Sequence, residues 1–178
     1  MLCARLYAAE VDGALYRALI GRDLNALLEG TDLEWMEPER VQRGEAVALD
    51  ELAEEYCRLF VGPVAECPPY ASVQRGEALL GGRSRALFEE LLARQALDAR
   101  PEEARLGSPD HLAVMLSALA SLLEDDRIAQ HGESAARALL RMHLVPWMPE
   151  YARDSSARAR CALYRTLATL TLAIAQSS

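Results

Sequence analysis

Apolar residues recur along most of this chain at helical spacing, and nowhere do they settle into the alternation that a strand requires. Leu49, Leu52, Ala53, Tyr56, Leu59 and Phe60 follow i, i+3, i+4, i+7, i+10 and i+11, so they fall on one stripe of a helix. Leu112, Met115, Leu116, Leu119, Leu122 and Leu123 fit the same template, and weaker versions run through 6–20, 87–92, 136–144 and 163–174. No segment combines alternation with β-branched or aromatic enrichment, so no strand is predicted. The expectation is an all-α, multi-helix bundle of about seven to nine helices that bury their stripes against one another. With 178 residues, 51% of them apolar, the chain is one domain. A domain of this size buries roughly 70% of its unfolded surface, enough for a core without metal or disulfides.

Prolines and glycines punctuate the pattern unevenly. Gly62-Pro63 stops the helix that carries the first stripe, and Cys67-Pro68-Pro69-Tyr70 holds the next stretch extended, because each proline fixes its own φ and biases the residue before it. That loop is expected to reach about Gly82. A second, polar break spans 98–109; Ser108 is read there as an N-cap, with Pro109 and Asp110 in the first turn of the next helix. This divides the single domain 1–178 into an N-terminal helical half, 1–97, a hinge loop, 98–109, and a C-terminal helical half, 110–178. A hinge so placed would allow a domain-swapped homodimer as well as a monomer. Val145-Pro146-Trp147-Met148-Pro149 makes a third break.

Charge narrows the function classes. The formal net charge is −8, and all 19 basic residues are arginine. An acidic chain without lysine is a poor nucleic-acid binder and supports no Schiff base or lysine-gripped phosphate. Dinucleotide, serine-hydrolase and zinc-peptidase signatures are absent too. Cys3, Cys57, Cys67 and Cys161 form no CxxC pair, and the start of the chain is interrupted by Arg5, Glu10 and Asp12, so no secretory signal is visible. No apolar run is long enough to span a bilayer. The expected protein is cytoplasmic, with reduced thiols, no cofactor, no stable membrane insertion and no metal site, since His111, His131 and His143 lack short paired spacings.

Three groups of residues remain as candidates. Asp110 and His111 are an acid/base or ligand pair on one reading, and a helix-capping and loop-tethering pair on the other. His143 lies on an apolar face and is expected as a hydrogen-bonded core histidine. Glu51, Glu54 and Glu55, with Glu66 further on, are either a solvated face or an acidic rim beside an apolar groove, suited to a peptide with a basic head and an apolar tail.

Four blocks taken in order carry a resemblance. Tyr56-Cys57-Arg58-Leu59-Phe60-Val61-Gly62-Pro63, then Pro68-Pro69-Tyr70 with Ser72-Val73, then Pro109-Asp110-His111, then His143-Leu144-Val145-Pro146-Trp147 with Leu163-Tyr164-Arg165, resemble the signature of the TorD/DmsD/NarJ family, closest to its TorD/DmsD branch. They span roughly 52–175. The resemblance implies a TorD-like helical chaperone, not an enzyme, that binds the twin-arginine leader of a molybdopterin oxidoreductase precursor. It would delay export until the cofactor is inserted, and could also contact the apo catalytic subunit. Family binding positions carry over to Tyr56, Leu59, Phe60, Pro69, Tyr70, Asp110 and His111, with no catalytic residue. The chain departs from the family pattern at Gly107-Ser108, where the usual hinge acid is missing, and at Tyr70 and Gln74, where larger or aromatic residues are common. Two alternatives stand beside this: a NarJ-type chaperone for a membrane-anchored nitrate-reductase-like enzyme, and a nucleotide hydrolase using Asp110 and His111.

Overall fold

A computed structural model describes residues 2–77, 82–97, 103–126 and 132–177. The first part of the expected hinge, 98–102, and His131 lie outside the described residues. Helices run in the order α1 Leu2–Ala8, α2 Gly13–Leu19, α3 Arg22–Asn25, α4 Pro38–Gln42, α5 Glu45–Phe60, α6 Ala71–Gln74, α7 Gly82–Arg94, α8 Leu112–Asp126, α9 Gly132–Leu139, α10 Met148–Arg158 and α11 Ala162–Gln176. The described residues form no strand; a single antiparallel bridge joins Tyr70 to His111. The fold is all-α, as the stripes predict. It has more helices than expected because α3, α4 and α6 are four or five residues long, too short to show a period.

The first stripe behaves as read. Leu52, Tyr56, Leu59 and Phe60 of α5 are buried, and the two rings meet α1 and α11. Phe60 packs edge-on against Tyr7 of α1 at 5.4 Å and Tyr164 of α11 at 5.5 Å, while Trp147 and Tyr151 meet at 5.5 Å. Buried tyrosines need partners for their hydroxyls. Tyr56 donates to the Tyr7 carbonyl at 2.9 Å, Tyr164 to the Leu52 carbonyl at 3.3 Å, and Tyr7 bonds Thr171 at 3.1 Å. The residues before and after the expected hinge therefore share one core. Two carboxylates reinforce this from the rim: Glu37 accepts the Ala162 N–H and Glu55 the Arg160 N–H, at the turn from α10 into α11 where backbone donors would otherwise be orphaned.

The long stripe of α8 buries Leu112, Met115, Leu116, Leu119 and Leu122, leaving Leu123 half exposed. That helix starts at Leu112, three residues later than the sequence reading placed it. The reason is local: 108–111 forms a turn in which the His111 N–H reaches the Ser108 carbonyl at 3.2 Å, and the His111 ring takes the capping role by accepting the Ala113 N–H at Nδ1. His143 lies in the core, its ring edge-on to Phe88 at 5.6 Å and its carbonyl taking the Trp147 indole N–H at 2.7 Å. It sits on a π-helical turn, Leu140–Leu144, that precedes the proline break. All four cysteines are free thiols. Among the described residues no helix is long and apolar enough to cross a membrane.

Candidate functional site

The end of α5 shapes the site. Val61 is extended, Gly62 adopts φ of +88°, a left-handed conformation that favours glycine, and Pro63 follows. The chain then folds back, so that the Glu66 N–H meets the Arg58 carbonyl at 3.0 Å and the Cys67 N–H the Leu59 carbonyl at 2.7 Å. These bonds satisfy carbonyls that the last turn of α5 leaves open. The double-proline segment that comes next pairs with the turn before α8. Leu112 N–H reaches the Pro69 carbonyl at 2.8 Å, and Ala71 N–H reaches the Asp110 carbonyl at 3.0 Å. Gln74, in place of the family aromatic, donates its side-chain amide to the Pro68 carbonyl at 2.8 Å and so braces the same loop.

Between these segments and the end of α1 lies a cavity of about 820 Å³, with Tyr56, Phe60, Pro68, Tyr70 and His111 in its wall. Four of the expected binding residues thus meet in one place: Tyr56, Phe60, Tyr70 and His111. Leu59, Pro69 and Asp110 do not line it. Leu59, on the core side of α5, is fully buried. Pro69 is held by the bridge, and Asp110 is enclosed, accepting the Ser72 N–H at 2.9 Å and the Ser108 hydroxyl. Asp110 therefore caps the short helix α6 from a distant part of the chain, which is the tethering role rather than an exposed acid/base role. Val61, at 48% exposure, and Val73, at 41%, join the wall, as do Ala8 at the end of α1, Ala9 and Glu10 after it, and Arg105. Val61 and Val73 lie within the sequence blocks but were not singled out there as binding residues, while Ala8, Ala9, Glu10 and Arg105 belong to no shared motif or period.

His111 is a polar member of this wall. Its ring stands edge-on to Tyr70 at 4.7 Å, and burial, opposed only by the Asp110 charge, lowers its pKa to about 4. With Nδ1 accepting from Ala113, the neutral ring carries its proton on Nε2 and offers a donor. Tyr70 fixes the neighbouring loop by donating to the Leu106 carbonyl at 2.9 Å. Burial pushes the Tyr56 phenol up to about 12, with Glu10 adding to the effect, so it stays a neutral donor.

The expected acidic rim is not assembled as one surface. Glu51 is held by Arg40 and by Arg43. Glu55 is buried, bonded to Arg58 at 2.8 Å and to the Arg160 N–H at 2.6 Å. Burial pushes the Glu55 carboxyl up, but these partners outweigh it and hold the group below its usual range. Glu66 pairs with the other side of Arg58 at 2.6 Å. Glu54 is exposed and outside the cavity wall.

A second, larger cavity of about 940 Å³ opens among α1, α8, α9 and α11, walled by aliphatic residues such as Leu116, Leu119 and Leu170. None of the expected site residues reaches it.

Comparison with known proteins follows the blocks. A family model described as nitrate reductase delta subunit matches residues 14–153. A chaperone protein TorD of Vibrio cholerae serotype O1 is 30% identical over 97% of this chain and 79% of its own length. A chaperone protein YcdY of Escherichia coli strain K12 is 28% identical over 69% of this chain and 60% of its own length.

Proposed function

We propose, because this chain belongs to the TorD/NarJ family and is a redox-enzyme maturation chaperone rather than an enzyme, that it binds in the cytoplasm the twin-arginine leader of a molybdopterin oxidoreductase precursor. The apolar part of the leader lies in the cavity walled by Tyr56, Phe60, Val61, Tyr70, Val73 and His111. One observation carries this reading: residues selected from three separate sequence blocks converge on a single cavity. Burial of the leader's apolar segment there contributes roughly 25 cal/mol per Å², before the cost of ordering the peptide. In this reading the Nε2–H of the neutral His111 ring donates to a peptide carbonyl, and the half-exposed valines extend the apolar wall to the surface.

Calorimetry with the leader of a molybdoenzyme encoded in the same genome tests this. Val61→Asp puts a charge into the wall and is expected to weaken binding about tenfold or more. Leu123→Asp, in the wall of the second cavity, should leave it unchanged. Binding that survives Val61→Asp, or that is lost with Leu123→Asp, overturns the assignment of the cavity; no binding to any such leader overturns the reading as a whole.

A second reading, a membrane-anchored nitrate-reductase-like client with a vestigial leader, draws on the description of the matched family model. Neighbouring genes discriminate the two, since an oxidoreductase with an intact leader favours the first.

A further inference from the structure

Among the described residues the cavity wall holds one carboxylate, Glu10, and one guanidinium, Arg105, beside otherwise apolar, aromatic and imidazole groups. Glu10 is exposed, and no cation pairs with it among the described residues: Arg5, its neighbour on α1, uses Asp12 instead at 2.9 Å. The same Arg5 donates to the carbonyls of Ala9 and Glu10 at 3.0 and 3.1 Å, which fixes the backbone that carries the carboxylate. Among the described residues the side-chain partner of Glu10 is the thiol of Cys57 at 3.5 Å, a weak donor that a guanidinium would readily displace. Arg105 lies beside Leu106, on the side of the cavity where Tyr70 is anchored. A cationic group entering the cavity is thus drawn to Glu10 and repelled from the Tyr70 side.

We propose that Glu10 is the residue that reads the paired arginines of the bound leader, in the role the sequence suggested for Glu51, Glu54, Glu55 and Glu66. It rests on the leader-binding reading above and adds the position and direction of the peptide. The arginines sit at the end of α1, and the apolar segment runs from there across Phe60 and Val61 toward Val73. An unpaired, backbone-anchored carboxylate meets a guanidinium without first breaking an ion pair, which is what Glu51, Glu55 and Glu66 would have to do.

The test uses the intact chain and two synthetic peptides: one with two adjacent arginines followed by a leucine- and alanine-rich segment, the other with both arginines replaced by glutamine. Glu10→Gln is expected to weaken the diarginine peptide about fivefold, to flatten its salt dependence, and to leave the glutamine peptide unchanged. Glu54→Gln should change neither. Because Glu10 is exposed and supports no buried contact, circular dichroism should show an unaltered fold. If wild type binds both peptides and Glu10→Gln weakens neither or weakens both equally, the role of Glu10 falls while the cavity stands. If wild type binds neither peptide, the leader reading falls and takes Glu10 with it.

Discussion

The helices α1 and α8 connect two cavities of different chemistry. Around Ala8 and the start of α8 the wall is aromatic and proline-rich, with tyrosine hydroxyls and an imidazole tied to backbone groups. Around Leu2 and the middle of α8 it is aliphatic, and the space is larger, about 940 against about 820 Å³. Size would favour the second. Chemistry favours the first, because a peptide needs donors and a charge partner as well as apolar surface, and those groups must already be held in place when it arrives. The sequence blocks also converge on the first. Within it a second contrast appears, between residues that face the space and residues of the same blocks that hold the wall from behind.

That contrast is sharpest on α5. Leu59 is fully buried, whereas Val61, two residues on, is half exposed in the cavity wall. Leu59→Ala should lower unfolding free energy by roughly 2–5 kcal/mol, the usual cost of a buried leucine with its cavity. Val61→Asp should stay within about 0.5 kcal/mol of wild type, as surface changes do. Urea unfolding reads both. Equal losses would erase the distinction between wall and support. For the same reason a variant combining Leu59→Ala with Phe60→Ala tests folding rather than binding.

His111 gives the next largest effect. Folded, it stays neutral down to about pH 4; unfolded, it protonates near the ordinary imidazole value of 6.5. Below that value the unfolded chain binds more protons, so stability is fully present above pH 6.5 and declines as pH falls toward 4, by on the order of 3 kcal/mol. His111→Asn keeps a capping group for α8 and removes this titration. Its stability should therefore vary less between pH 6.5 and 4, the residual slope including His143, whose pKa burial and Arg75 also lower. An unchanged slope in the variant would show that His111 is not the buried neutral group described here. Glu37 and Glu55 act lower: their folded pKa values lie below the unfolded one, so their contribution is present above about pH 4.5 and lost as pH falls further.

The all-α fold was legible because a stripe repeated over four turns admits no other period, as α5 shows. Short helices such as α6 were not, since one turn has no period and its N-terminus is satisfied by Asp110, nearly forty positions away. The site was legible in part. The blocks pointed to Tyr56, Phe60, Tyr70 and His111, but could not separate them from Leu59 and Asp110, because a cavity wall and a buried face share the same helical spacing. The acidic rim misled for another reason. Glu51, Glu55 and Glu66 are neutralised by arginines, and which acids an arginine reaches is decided by tertiary contact. Glu10 was invisible as a site residue until α1 was laid beside α5.

The smallest effect probes the polar tethers that only the first cavity has. The Tyr70 hydroxyl bonds the Leu106 carbonyl, while its ring stands against His111. Tyr70→Phe removes the bond and keeps the ring, so it should cost about 1 kcal/mol or less of stability, the net worth of a single neutral hydrogen bond. If the tether holds this side of the cavity, the loss should be local: amide exchange should quicken between Arg105 and His111 and stay unchanged in Leu140–Leu144, beside the aliphatic cavity. Peptide affinity should change less than in Val61→Asp, because the apolar wall remains. Faster exchange in both segments would mean that the two cavities are mechanically one, and the chemical difference between them would no longer separate the proposed binding site from a gap in packing.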